Sequence, residues 1–219
     1  MKKKLLLVGG GGHCRSIIDS LDADRYTDIA IIDEAFDINA HQIYEKGVRI
    51  IGKDLDAPSL FSRGYTLAVI ALGSVGDMSI RIRLFERYKS IGFEFPAVID
   101  PTAIVSKNAI IGDGVFIGKG SIVNTGVKLG LCAIVNTGAI IEHDCHIGDF
   151  VHIGPKSCLS GGVLVGNGCH IGIGSTVIQS IQIGEKTIIG AGSIVIRNIP
   201  PNCTAVGAPA VPIKLDKDS

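Results

Sequence analysis

The chain has 219 residues, and its 21 Lys and Arg residues balance 21 Asp and Glu residues, so the formal net charge is zero. This balance, without any Lys- or Arg-rich run, argues against a partner that is a nucleic acid. Although 46% of the residues are hydrophobic, no apolar stretch reaches the roughly 18 residues of a membrane span, so we expect no membrane segment.

Near the start of the chain, lysines precede a short apolar run at residues 5–8, and four glycines follow that run. This run is shorter than the apolar region of a signal peptide, so we interpret it as a buried β-strand. The six cysteines contain no CxxC pair. Without a secretory signal we expect them to be reduced thiols, and the expected location is the cytoplasm.

Strand-like and helix-like segments alternate over the first part of the chain. Apolar runs predict strands at residues 5–8, 29–32 and 67–72, and helices are predicted from residue 15 and over residues 79–91. Such alternation is typical of a parallel sheet, whose ligands bind beyond the carboxyl ends of the strands. We therefore predict a Rossmann-like α/β domain over residues 1–96.

Four glycines and a histidine, residues 9–13, connect the first predicted strand to the first helix. The spacing departs from the dinucleotide fingerprint, because Cys14 or Arg15 stands where a third small residue is needed. NAD is therefore not the expected ligand. A glycine-rich loop at a helix N-terminus can still bind phosphate through backbone N–H groups, and a tight turn without a ligand is the alternative.

A six-residue repeat governs the rest of the chain. Every sixth residue from Ile99 to Val195 is Ile, Val or Leu, the residue two before it is nearly always small or β-branched, and the next residue is often Gly. From Ser106 onward, positions where this residue is not Gly recur every 18 residues, and Asn136 is an additional one. The pattern predicts a solenoid of 18-residue coils with three sides, in which the aliphatic and the small residue point inward. We expect each such Gly to form a corner with positive φ.

We predict that this parallel β-helix spans residues 97–199 and that residues 200–219 form a C-terminal tail. Its flat sides, with exposed residues such as Val151 and Ile173, would favour closed symmetric association.

Several segments together resemble one family. They are GGGGH at 9–13, DE at 33–34, ALG at 71–73, IEHDCHIGDFVHI at 141–153 and VGAPA at 206–210. The chain resembles, over essentially its whole length, the sugar O/N-acyltransferases of the sialic acid O-acetyltransferase (NeuD/PglD-like) family, which belong to the hexapeptide-repeat superfamily. The resemblance implies that the β-helix is left-handed, whereas crossover rules alone would favour the opposite hand.

The resemblance also implies an activity. It is acetyl-CoA-dependent N-acetylation of a nucleotide sugar of the UDP-4-amino-4,6-dideoxy-hexose type, in bacterial surface glycan biosynthesis, by a homotrimer without a metal. O-acetylation of sialic acid is an alternative within the family. A non-catalytic hexapeptide protein that binds nucleotide sugars is another, because fold does not fix function.

Individual positions match functional residues of the family. His143 matches the general base, and Asp144 matches its acidic partner. Positions that match substrate contacts are Gly11, Gly12 and His13 at the phosphates, Asp33 and Glu34 at the uridine, Gly73 as a further wall of that pocket, and His152. Positions that match the acetyl-CoA groove are Ile173, Ala191 and again His152.

The other histidines permit a different hypothesis. His152 and His170 are 18 residues apart and should stack on adjacent coils, and His146 has the same position one side earlier. Gamma-type carbonic anhydrases share the β-helix and bind zinc through three histidines between subunits, so a zinc site is an alternative. We predict instead that His170 is solvated, and that Cys145 and Cys169 are core residues rather than nucleophiles.

Overall fold

The structure is a computed structural model that describes residues 2–35 and 44–215. The chain divides into two compact units, one of Met1–Gly73 and Ser79–Val98 and the other of Ser74–Met78 and Ile99–Ser219. The second unit thus includes a five-residue segment from the middle of the α/β region. Residues 216–219 of the predicted tail lie outside the described part of the chain.

The first unit has a four-stranded parallel sheet with strand order β3-β2-β1-β4 in its described residues. Its strands and α-helices are β1 Lys3–Val8, α1 Gly12–Ser20, β2 Tyr26–Ile32, β3 Arg49–Gly52, α2 Ala57–Ser62, β4 Tyr65–Ile70 and α3 Ser79–Ile91. No helix in the described ranges is long and apolar enough to cross a membrane.

The central strand β1 explains the position of the glycine loop. Leu5, Leu6 and Leu7 are fully buried, as expected for an inner strand of a parallel sheet. Because parallel strands end at the same edge, the loop after β1 lies near the residues that follow β2 and β4.

The second unit is a solenoid of mostly two-residue strands. The strands are β5 Val98–Ile99, β6 Ile104–Val105, β7 Ile110–Ile111, β8 Phe116–Ile117, β9 Ile122–Val123, β10 Lys128–Leu129, β11 Ile134–Val135, β12 Ile140–Ile141, β13 His146–Ile147, β14 His152–Ile153, β15 Cys158–Leu159, β16 Leu164–Val165, β17 His170–Ile171, β18 Thr176–Val177, β19 Gln182–Ile183, β20 Ile188–Ile189, β21 Ile194–Val195, β22 Cys203–Gly207 and β23 Ala210–Leu215.

These strands form three sheets, one on each side of the solenoid. The first sheet has the order β21-β18-β15-β12-β9-β6, the second β19-β16-β13-β10-β7, and the third β23-β22-β20-β17-β14-β11-β8-β5. Residues that pair across adjacent coils are 18 apart, as in the series Ile134, His152, His170 and Ile188. This register confirms the predicted 18-residue coil.

The inward positions form a narrow aliphatic core. From Ile117 to Val195, every predicted inward aliphatic residue is at most 4% exposed, whereas Ile99 at the start is 42% exposed. Buried hydroxyls in the small inward positions are satisfied, since Ser157 Oγ donates to Gly172 O at 2.8 Å and Ser175 Oγ to Gly190 O at 2.9 Å. The hydroxyls of these two serines are therefore buried without losing a hydrogen bond.

The corners are built differently from the expectation. Positive φ occurs three residues after the inward aliphatic residue, as at Gly168 with φ of 66°, and not at the Gly that follows it directly. That directly following Gly allows close approach of coils instead, because a Cβ on Gly166 would lie 2.5 Å from the backbone nitrogen of Glu185 in the next coil. The expectation that the directly following Gly forms the corner with positive φ was therefore wrong.

A hairpin follows the last coil. Strand β22 pairs in parallel with β20, with Thr204 opposite Ile188, and β23 pairs antiparallel with β22. The third sheet therefore continues beyond residue 199, and the hairpin covers the edge that β20 would otherwise expose.

Candidate functional site

His143 and Asp144 form a hydrogen-bonded pair at the corner between β12 and β13. Nδ1 of His143 lies 2.9 Å from Oδ2 of Asp144, and the two side chains are 59% and 71% exposed. Consecutive side chains of an extended strand point to opposite faces, but Asp144 has a φ of 61° at this corner, which brings the two together. Because Nδ1 faces a carboxylate, it carries the proton, and Nε2 is the basic nitrogen.

The glycine loop of the first unit is ordered by Asp33. The N–H of Gly10 donates to Oδ2 of Asp33 at 2.6 Å, and the N–H of Ala35 donates to Oδ1 at 2.8 Å. Tyr44 OH also donates to the carbonyl of Gly10 at 2.5 Å. The carboxylate of Asp33 thus fixes the loop as well as lying at its edge.

Beyond Gly10 the loop opens into free space. A Cβ on Gly11 or Gly12 would meet no atom within 4 Å, and α1 begins at Gly12 without a side-chain cap. Gly73 lies beside the loop, since its Cβ would be 3.7 Å from Cβ of His13. The structure therefore brings Gly11, Gly12, His13, Asp33 and Gly73 to one edge of the sheet.

A cavity of about 310 Å³ lies next to this loop and is lined by Asp33 and Glu34. Asp54 and Arg83 also line it. The sequence analysis missed both residues because neither belongs to a recognisable motif. The N–H of Asp54 donates to Oε1 of Glu34 at 3.2 Å, so these two acidic residues are connected. Three of the four charged side chains that line the cavity are carboxylates, which accept hydrogen bonds.

His152 is 8% exposed and has hydrogen bonds at both ring nitrogens. Nδ1 lies 2.8 Å from the carbonyl of Ser74 and must be the donor there. Nε2 lies 3.2 Å from Nδ2 of Asn136 and accepts. His152 is therefore a neutral imidazole that holds segment 74–78 against the third sheet, and its contact with substrate or cofactor stays a prediction.

A second cavity, of about 330 Å³, brings together the predicted cofactor residues. His152, Ile173 and Ala191 line it together with Val75 and His170. Its walls are mainly aliphatic side chains and glycine backbone, as is common for sites that bind an organic ligand.

Ile173 is 54% exposed, as expected, whereas Val151 is fully buried. The expectation of an exposed Val151 was wrong, because this residue occupies a small inward position of the coil, two residues before Ile153.

His170 also differs from its prediction, since it is only 8% exposed. Its ring packs edge to face against His152, and segment 74–78 lies over this part of the third sheet, where Cβ of Gly76 would be 2.9 Å from Ile188. Burial is the larger cause, and the neighbouring His152 the smaller one, of a pKa of His170 that is lowered to about 4. The side chain is therefore neutral near pH 7.

Within one chain, the structure does not bring the three histidines of the zinc hypothesis together. His146 is exposed on the second sheet, whereas His152 and His170 lie on the third. Within residues 2–35 and 44–215, no group of three or more His, Cys, Asp or Glu is placed to hold a metal ion. Since both nitrogens of His152 are hydrogen-bonded, this side chain is also a poor ligand.

The cysteine predictions are confirmed. Cys145 and Cys169 are fully buried, and burial raises the pKa of Cys169 to about 12. A thiol of this kind is inert as a nucleophile.

Comparison with known proteins identifies relatives for both units. Residues 4–88 match the family model of the PglD N-terminal domain. A curated relative, UDP-N-acetylbacillosamine N-acetyltransferase of Bacillus subtilis, is 40% identical over 113 residues, which are 51% of this chain. The match spans 50% of the length of that relative.

Two solved structures match nearly the whole chain. A mutant of perosamine N-acetyltransferase from Caulobacter crescentus, in complex with CoA and GDP-perosamine, is 36% identical with a TM-score of 0.88, over 96% of this chain and 97% of that one. The acetyltransferase domain of PglB from Neisseria gonorrhoeae, in complex with acetyl coenzyme A, is 33% identical with a TM-score of 0.87, over 97% and 100%. These matches confirm the predicted fold class, a Rossmann-like domain and a left-handed β-helix.

Proposed function

The chain belongs to the sialic acid O-acetyltransferase (NeuD/PglD-like) family of sugar acyltransferases, and we propose that it transfers an acetyl group from acetyl-CoA to the amino group of a nucleotide sugar. The proposed acceptor is of the UDP-4-amino-4,6-dideoxy-hexose type, a building block of bacterial surface glycans. Relatives named for UDP-linked and GDP-linked sugars make both nucleotides necessary in the assay.

The pair of His143 and Asp144 is the observation that carries this proposal. The acceptor amine attacks the thioester carbon, so that the C–N bond forms and the C–S bond breaks. Nε2 of His143 takes the proton that the amine loses, and the protonated imidazole returns it to the CoA thiolate, so that an amide and a thiol are the products. Positioned bases typically accelerate such steps about 10²–10⁴-fold.

Asp144 supports the base in two ways. Its hydrogen bond to Nδ1 of His143, at 2.9 Å, fixes the tautomer in which Nε2 accepts. Its negative charge also stabilises the protonated imidazole that forms during the transfer.

The glycine loop is the proposed binding site for the phosphates of the nucleotide. The open space above Gly11 and Gly12 and the uncapped N–H groups at the start of α1 suit a phosphate. The neighbouring cavity with Asp33 and Glu34 offers acceptors to the hydroxyl groups of the ribose.

The second cavity is the proposed groove for the pantetheine arm of acetyl-CoA. Its aliphatic residues and backbone suit a long, mostly apolar chain with two amide groups. Ile173 and Ala191 are both exposed beside it, and they remain the residues that we propose to contact the cofactor.

A homotrimer is the proposed assembly, and the outer face of the first sheet supports it. Ile104, Ile122 and Ile140 occupy successive outward positions in this sheet, and Ile104 is 65% exposed. Ile194, which is 43% exposed, follows after Cys158 and Thr176. An apolar column of this kind favours burial against a second copy of the chain. We also propose a cytoplasmic location.

The test is a thiol-release assay with acetyl-CoA and a panel of acceptors, comparing the native chain with His143→Ala. We expect release with a UDP- or GDP-linked 4-amino-sugar and a kcat for His143→Ala that is about 10²–10⁴-fold lower, with KM values within a few fold. Release with sialic acid alone would support the alternative acceptor. Tight binding of a nucleotide sugar without any release would mean that the chain is a binding protein.

A further inference from the structure

Gly161 lies one coil after His143, and the imidazole ring of His143 lies against it. The N–H of Gly162 donates to the carbonyl of His143 at 2.9 Å, so the two segments are in register. A Cβ on Gly161 would lie 2.5 Å from both Cε1 and Nε2 of His143 and 3.2 Å from Cδ2. The imidazole therefore occupies the space that a side chain at residue 161 would fill.

The backbone does not require glycine at this position. Gly162 has a φ of 70°, but Gly161 is not in the left-handed region, so alanine could adopt its conformation. Two residues after each inward aliphatic residue from Ile99 to Val195, the chain has a side chain at every position except residue 161. The missing side chain thus coincides with the one coil that faces the ring of His143.

We propose that Gly161 is a positioning residue that keeps His143 in its productive orientation, an inference that rests on the proposed function. Nε2 of His143, the proposed proton acceptor, is one of the two atoms closest to a Cβ at residue 161. Because the ring is rigid, a methyl group there must turn it, which moves Nε2 and lengthens the hydrogen bond from Nδ1 to Asp144. A displacement of about 1 Å at a reacting group can cost about 10²-fold in rate.

Gly161→Ala tests this proposal in the full chain. We expect kcat to fall by about 10²-fold, with KM values for both substrates within a few fold, and Gly161→Val to lower kcat further. Gly162→Ala is the matched control, because it strains the same corner while its Cβ would lie 3.6 Å from Ser180 Oγ, an ordinary contact. It should lower thermal stability and leave the kcat of the folded enzyme nearly unchanged.

A double-mutant cycle identifies the group through which Gly161 acts. In a His143→Ala background, Gly161→Ala should lower the residual rate less than about twofold, because the ring is gone. An equal loss in both backgrounds, or near-full kcat for Gly161→Ala alone, would overturn the proposal. If Gly161→Ala unfolds, His143→Ala should restore folding, and failure to do so would also overturn it. Near-full kcat for His143→Ala alone would instead contradict the proposed function.

Discussion

The ring of His170 lies edge to face against that of His152, with ring centroids 5.0 Å apart and the planes at 76°. The two residues pair on adjacent coils of the third sheet. Burial and the neighbouring ring together disfavour a proton on His170 and lower its pKa.

Acid should therefore destabilise the fold through His170. Its pKa is about 4 in the folded chain and about 6.5 when unfolded, so the unfolded state binds more protons between these values. This part of the stability is present above pH 6.5 and is lost as the pH falls toward 4. At pH 5 the loss is about 2 kcal/mol. Denaturant unfolding at pH 7.5 and 5 should show this loss of unfolding free energy for the native chain. The loss should be smaller for His170→Phe, and for His146→Phe it should equal that of the native chain. An unchanged pH dependence in His170→Phe would contradict the assignment.

Asp144→Asn should reduce kcat by roughly 10-fold, less than loss of the base, for which about 10²–10⁴-fold is expected. Asparagine tolerates positive φ, so the corner should persist while the charge that stabilises the protonated imidazole is lost. Steady-state kinetics compare it with Asp113→Asn, which removes an exposed carboxylate from another corner and should have little effect. A loss as large as that of His143→Ala would mean that Asp144 has a direct catalytic role.

Gly12→Val should raise the KM of the nucleotide-sugar acceptor at least 10-fold, because the side chain would fill the open space above the loop where phosphate is expected. The KM of acetyl-CoA should change little. Ser16→Val, an exposed position on the same helix, controls for the lower helix propensity of valine. Equal increases for both substrates would mean that the substitution damages the fold instead of one site.

Ile122→Arg should dissociate the proposed trimer, since it places a charge in the apolar column of the first sheet. Light scattering should then change from three times the chain mass of 22.9 kDa to the monomer mass. Val211→Arg, at an exposed residue of β23, should leave the assembly intact. A native chain that is already a monomer at micromolar concentration would refute the trimer.

Two glycines of one corner should differ in their response to alanine. Gly166→Ala should cost up to about 3 kcal/mol of stability through overpacking against the next coil. Gly168→Ala should cost about 1 kcal/mol, since its Cβ would be 3.8 Å from the nearest atom, on Lys186, and only the positive φ is unfavourable. Unfolding free energies measure both, and the reverse order would contradict the role assigned to close approach.

Much of the fold could be predicted because each coil repeats the same local pattern. A period of 18 places every inward residue, and α3 has the bounds expected from its sequence. Strand β3 and helix α2 were missed, because four and six residues are too few to show a hydrophobic period. The role of the glycines after the inward aliphatic residues was predicted wrongly, since the distance to the next coil is a tertiary property.

The candidate site was predicted less completely. The neighbouring residues His143 and Asp144 could be paired from the sequence, because a family segment contains both. The burial of His170 could not be predicted, because segment 74–78 covers it from a distant part of the chain. Gly161 had a signal in its register with His143, which becomes visible only once the coil length is converted into spatial neighbours.

The close stacking of glycines at the corners restricts how this chain can change length. An insertion of one residue within a coil would turn the following aliphatic side chains toward solvent and place a Cβ where two backbones meet. Gain or loss of a complete 18-residue unit preserves both the inward direction of the aliphatic side chains and the close approach of the backbones. Related chains should therefore differ in the number of whole coils, and shorter insertions should be confined to the corners, where they can loop outward.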